Sequence, residues 1–185
     1  MKSLTEMKSA LLEWRREEGQ ALAYTLSGDD GVAATLIFPD DSDTLARLET
    51  AEGSWTIKHL GLLNPITTIR EAGEKTNIAV FHPHALRHDK LEFADGAVFD
   101  WVALHDHEPG GAFLDIEGKP MVRIHGLLAH IPSTGADLDS GLVELGQAPV
   151  ARWRHAILAA MGWYILQLDH FKENPAHAAE MSLRM

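Results

Sequence analysis

Pro149-Val-Ala-Arg-Trp-Arg-His-Ala-Ile-Leu-Ala-Ala-Met-Gly-Trp-Tyr-Ile-Leu-Gln-Leu-Asp169 reads as one helix. Proline suits a first helical turn, where its missing N–H would have no partner anyway. From Ala156 to Leu168 there is no charged side chain. At about 100° per residue, Ile157, Leu158, Met161, Trp163, Tyr164, Ile165, Leu166 and Leu168 leave only a thin face at Ala160 and Gln167. A helix that is apolar all round must be enclosed on all sides. The uncharged part covers roughly 20 Å, short of the ~20 residues that span a bilayer. The sequence therefore predicts a helix enclosed by protein, with no transmembrane segment. Beyond Lys172 the chain has no clear period, and residues 173–185 read as a surface helix or a disordered tail.

What could enclose such a helix lies upstream of it. From about Gln20, short runs rich in β-branched and aromatic residues alternate with turn signals. The candidate strands are Ala21–Ser27, Val32–Phe38, Thr44–Ala51, Ser54–Leu60, Ile66–Glu71, Asn77–His82, Lys90–Phe93, Val98–Leu104, Ala112–Glu117, Met121–His125 and Leu127–Pro132. Gly28-Asp-Asp-Gly31, Glu52-Gly53, Asp95-Gly96 and Glu117-Gly118 mark tight turns. No helix separates the runs, which argues an antiparallel meander. Trp55, Ile57 and His59 share one face, Thr56, Lys58 and Leu60 the other, and Phe99 faces with Trp101. A closed barrel of about this many strands has a lumen too wide for its own side chains to fill. Threading the helix through it gives the helix apolar walls and removes the sheet edges. The other arrangement, a β-sandwich with the helix across one face, would expose part of Trp163, Tyr164 and Leu166. The filled barrel, mainly β and spanning residues 19–172, is the expected architecture.

Residues 1–18 read as an N-terminal amphipathic helix. Ser3 and Glu6 match a capping box, and Gly19 is a C-terminal stop. Leu4, Met7, Leu11 and Trp14 recur at helical spacing and form one face, to be docked on the barrel or offered to a protein partner. The segment has too many charges for a secretory signal, so a cytoplasmic location is expected.

Composition narrows the function classes. The 185 residues include no cysteine, so disulfides, thiolate metal sites, iron–sulfur clusters and cysteine catalysis are excluded. The formal charge is −11, which repels nucleic acid and anionic lipid in the absence of a local basic patch. No nucleic-acid partner is expected. There is no GxGxxG before a helix, no Walker loop and no nucleophile elbow. No cofactor is expected.

A family resemblance is carried by Gly61-Leu-Leu-Asn-Pro65 after a Trp/Lys strand, Leu91-Glu-Phe93 with Asp95-Gly96, and Phe99-Asp-Trp101. It continues through Asp115-Ile-Glu-Gly118 before Val122-Arg-Ile124 and ends at Gly162-Trp-Tyr164. In this order, from Trp55 to Leu168, the chain resembles the tubby C-terminal-like group, which includes the LURP-one-related proteins and the phospholipid scramblases. The resemblance implies a twelve-stranded barrel around a central C-terminal helix. Function varies within the group: tubby-like members bind phosphoinositides, and scramblases are linked to calcium-regulated lipid movement. Phosphate recognition uses clustered Lys and Arg; the densest basic pairs here are Arg15-Arg16 and Arg152/Arg154. Peripheral lipid contact is thus the weaker of the implied functions. The segment matching the scramblase calcium region is Asp137-Leu-Asp139-Ser-Gly141 with Glu144. It offers alternate carboxylates, but Ala148 stands where a bidentate Glu would be needed, and it reads as a polar loop.

Eleven histidines include two tight sets. In His105-Asp-His107-Glu108, a His-x-His on a strand puts both imidazoles on one face, about 7 Å apart, within reach of one metal. His105, His107 and Glu108 are the candidate metal ligands, with Asp106 able to orient a ring. His82-Pro-His84 with His88 is the second set. Both sets also fit solvated loop ends, and Pro109-Gly-Gly111 follows the first. Two functions are therefore expected: a non-enzymatic binding or scaffold module acting through surface loops, and alternatively a metal-binding protein or metal-dependent enzyme.

Overall fold

In the computed structural model, residues 1–4, 6–7, 10–18, 22–39, 44–61, 64–84, 88–104, 109–131, 135–146 and 152–173 are described. Twelve antiparallel strands form one closed barrel in sequence order, and a C-terminal helix follows them. The strands are β1 (Leu11–Arg16), β2 (Leu22–Gly28), β3 (Gly31–Phe38), β4 (Leu45–Thr50), β5 (Ser54–Leu60) and β6 (Ile66–Glu71). Then come β7 (Asn77–His82), β8 (Asp89–Phe93), β9 (Val98–Leu104), β10 (Gly110–Leu114), β11 (Pro120–Ile131) and β12 (Gly135–Leu145). The helix α1 covers Arg152–Glu173. Each strand pairs with the next, and β1 pairs with β12 to close the ring.

The predicted filling of the lumen is observed. Ala156, Ile157, Leu158, Ala159, Ala160, Met161, Trp163 and Tyr164 are all fully buried. The thin face at Ala160 and Gln167 is enclosed too, and Gln167 Nε2 donates to Leu138 O at 2.8 Å. An amide placed there satisfies a carbonyl that apolar neighbours would orphan. Inward residues alternate along the wall, as with Tyr24 and Leu26, Leu36 and Phe38, Trp55 and Ile57, and Phe99 and Trp101.

Three segments differ from the sequence reading. Residues 11–16, expected to be helical, are the strand β1. The deciding pair is Leu11 and Leu12: Leu11, on the supposed helical stripe, is 49% exposed, and Leu12, off it, is 2% exposed. Leu12 and Trp14 point inward at strand spacing, and β1 covers the edges that β2 and β12 would otherwise leave open. With Leu4 and Trp14 buried in the core, Leu4, Met7, Leu11 and Trp14 do not form one exposed partner-binding face. The polar loop expected at Asp137–Gly141 is also a strand, β12. Asp139 pairs with Arg16 at 3.0 Å, and Glu144 lies 3.8 Å from Arg123, so cationic side chains already face both carboxylates. The expected runs Met121–His125 and Leu127–Pro132 join into β11 through Gly126.

Glycines set where α1 lies. The helix packs against β10, β11 and β12 on one side and β4 on another. Gly141 of β12 faces Trp163; a Cβ there would come 2.5 Å from the indole. Trp163 in turn stacks on Trp14 at 6.2 Å, and the edge of Tyr24 meets it at 5.4 Å. On the β4 side, Tyr164 stacks on Phe38 at 5.7 Å and its hydroxyl donates to Thr44 O at 2.6 Å. Thr44 O also accepts the His59 N–H at 2.8 Å. Tyr164→Phe therefore removes one bond without orphaning the carbonyl. It is expected to cost about 0.5–1.5 kcal/mol in urea unfolding, the range for one net hydrogen bond. A loss above about 3 kcal/mol would show that the hydroxyl holds more than this contact.

Candidate functional site

The two ends of the barrel are built differently. At the N-terminal end of α1, Arg154 bonds to Asp95 of the β8–β9 turn. Its guanidinium lies 5.2 Å from the centre of Phe93 and 5.3 Å from that of Trp153. Phe93 makes edge contacts with both Trp153 and Phe99. Stacked and ion-paired, with its side chain only 16% exposed, Arg154 acts as part of the packing.

At the opposite end a cavity of about 330 Å³ remains. Its position follows from strand register. His59 of β5 pairs with Thr67 of β6, and Thr67 pairs with Phe81 of β7, so the three form a row across the inner wall. His59 Nδ1 lies 3.1 Å from Thr67 Oγ1, which orients the ring within the row. The last turns of α1 contribute Ile165, Leu168 and Asp169, and Asp89 enters from the start of β8. Asp89 Oδ1 accepts the His84 N–H at 2.7 Å, which anchors the β7–β8 connection. Gly61 and Pro65 complete the wall. Gly61 has φ +88°, and a Cβ there would come 2.7 Å from Asn64 O, so this turn requires glycine. Gly61 and Pro65, the two ends of the family motif, thus lie on one side of the cavity.

The arrangement is an apolar pocket with a few convergent polar groups, the usual form of a small-molecule site. The alternation read in β5 put His59 on one face with Trp55 and Ile57, and the burial of those two shows that face to be the inner one. Asp89 and Asp169 gave no signal in the sequence, because they meet only when β8 and the end of α1 reach the same rim. The candidate metal ligands His105, His107 and Glu108, together with Asp106, lie outside the described residues. His82, His84 and His88 are described, with His84 and His88 exposed; among the described residues no three His, Asp or Glu side chains are grouped to hold a metal ion. Among the described residues, no helix is long and apolar enough to cross a membrane.

The chain matches no family model, no curated protein and no solved structure.

Proposed function

We propose that this chain is a non-enzymatic binding or scaffold module, a filled barrel of the tubby-like kind that makes its contacts at its ends and surface loops. The filled lumen carries this reading. Residues 156–161 of α1, with Trp163 and Tyr164, fill the lumen along their length, and the cavity among the described residues lies at the barrel end beyond them, so contacts fall to the ends and the loops. The order of elements, antiparallel strands followed by an enclosed helix, is the one the tubby-like resemblance implies. Phosphoinositide recognition receives less support. Arg15 pairs with Glu13, Arg16 with Asp139 and Arg154 with Asp95, so each of these three arginines already faces a carboxylate of the chain.

The test is a screen of small-molecule fragments by NMR on isotope-labelled protein. Shift perturbations are expected to cluster at the cavity rim, around His59, Thr67 and Phe81. Hits centred on the buried face of α1 would overturn the reading, as would a complete absence of hits at either end and on the loops. Flotation with phosphoinositide-containing vesicles at physiological salt is expected to leave the protein in the unbound fraction.

A further inference from the structure

We propose that the cavity at the C-terminal end of α1 binds a small neutral aromatic molecule of two fused rings. The inference rests on reading the barrel as a binding module and names the ligand chemistry for its open end. The wall of the cavity is built from two successive inward rows of the sheet. The deeper row is His59, Thr67 and Phe81, paired across β5, β6 and β7, with Thr67 and Phe81 buried. Continuing both registers by two positions sets Gly61, Pro65 and Pro83 side by side in the next row toward the mouth, and all three line the cavity. Proline has a fixed φ and no N–H, so this second row is stiff and its two rings offer no donor. From inside the barrel, α1 adds Ile165 and Leu168, which are three residues apart and share one helical face.

The polar side chains of the lining are already engaged. His59 Nδ1 lies 3.1 Å from Thr67 Oγ1, and Asp89 Oδ1 accepts the His84 N–H at 2.7 Å. His59 and Asp169 make further interactions within the chain. A charged ligand would have to break into these contacts or give up its hydration without a partner. A neutral one gains contact with Phe81, the two prolines and the helix side chains at no such cost. Size and shape narrow the class further. A dry apolar cavity of about 150 Å³ holds one benzene ring. A cavity of about 330 Å³ has room for two fused rings. A rigid flat ligand loses fewer rotors on binding than an alkyl chain, and its ring can stack on Phe81 or meet its edge.

Calorimetric titration of the purified chain with indole, 1-hexanol, sodium benzoate and benzylammonium chloride tests this. All four are small enough for the cavity, with roughly seven to nine non-hydrogen atoms each. Indole is expected to bind at least roughly ten-fold more tightly than either ion, and roughly three-fold or more tighter than hexanol. Phe81→Leu keeps the wall apolar and removes the ring, and is expected to abolish the advantage of indole over hexanol. Leu168→Trp fills the cavity and is expected to abolish indole binding. Should either variant fail to fold, NOEs from the indole protons to the Thr67, Ile165 and Leu168 methyls of the unmodified protein test the same placement. Equal or tighter binding of either ion, indole binding that survives Leu168→Trp, or absence of those NOEs would overturn the proposal. Hexanol bound as tightly as indole, or an indole advantage that survives Phe81→Leu, would overturn the aromatic assignment. Ligands at the loops or the other end with the cavity silent would remove this inference and leave the binding-module reading; an absence of ligands at both ends and on the loops would remove both.

Discussion

Trp163→Ala is expected to lower the unfolding free energy by about 3–5 kcal/mol, the range for truncating a fully enclosed large aromatic. Trp163 is completely buried and joins three elements. It stacks on Trp14 of β1 with a 15° interplanar angle, meets the edge of Tyr24 of β2 and fills the space left by Gly141 of β12. Trp14 and Gly141 are register partners across the seam that closes the barrel. Alanine would leave a void against two ring faces and a backbone, and the backbone is held in the ladder that closes the barrel. The site therefore collapses poorly, which puts the cost toward the upper end of the range. For a domain of this size the loss corresponds to a fall in Tm of roughly 6–20 °C. A loss under about 1 kcal/mol would mean that the helix is not enclosed at this point.

Gly162→Leu is expected to be comparably damaging for the opposite reason. A Cβ at Gly162 would lie 2.4 Å from Ile124 Cδ1 and 3.0 Å from Trp101 Cζ3. Ile124 is fully buried, and Trp101 is held against Phe113 at 4.8 Å. A leucine side chain would have to displace both, with a cost of about 3 kcal/mol or more, or loss of folding. Smaller changes separate a steric cause from a general one. In an open helix, Gly→Ala would gain about 1 kcal/mol of propensity. At Gly162 that gain is expected to be cancelled or reversed by the contact with Ile124. Removing the offending methyl with Ile124→Val should restore it, giving a favourable coupling of roughly 1 kcal/mol between the two changes. Additive single effects in urea unfolding would refute the close approach.

How much of this was legible beforehand differs by element. The helix was legible because a segment without charge and apolar on nearly every side has one tolerable environment. Most strands were legible because alternation and Gly-containing turns are local signals. β1 was not: Leu4, Met7, Leu11 and Trp14 satisfy helical spacing, while Leu12 and Trp14 satisfy strand spacing, and the first sixteen residues contain both patterns. β12 was not legible because Asp137, Asp139, Ser140 and Glu144 resemble a loop when neighbours are unknown. The cavity was not legible: strand spacing put His59 on one face with Trp55 and Ile57, but a helix-filled lumen gave no reason to expect open space beside it. Its carboxylates come from positions eighty residues apart, 89 and 169, and no local spacing connects them.

By itself the sequence determined the class of fold: a meander of strands that must curl around its own hydrophobic helix, because nothing else in the chain can cover that helix. Tertiary structure decided how the ring closes and which end stays open. Closure depends on pairing β1 with β12, an energy gained only when the two chain regions meet and otherwise absent from either segment. The open end exists because Arg154, Phe93 and Trp153 pack the other mouth, whereas the last turns of α1 leave space beside His59 that no described side chain fills.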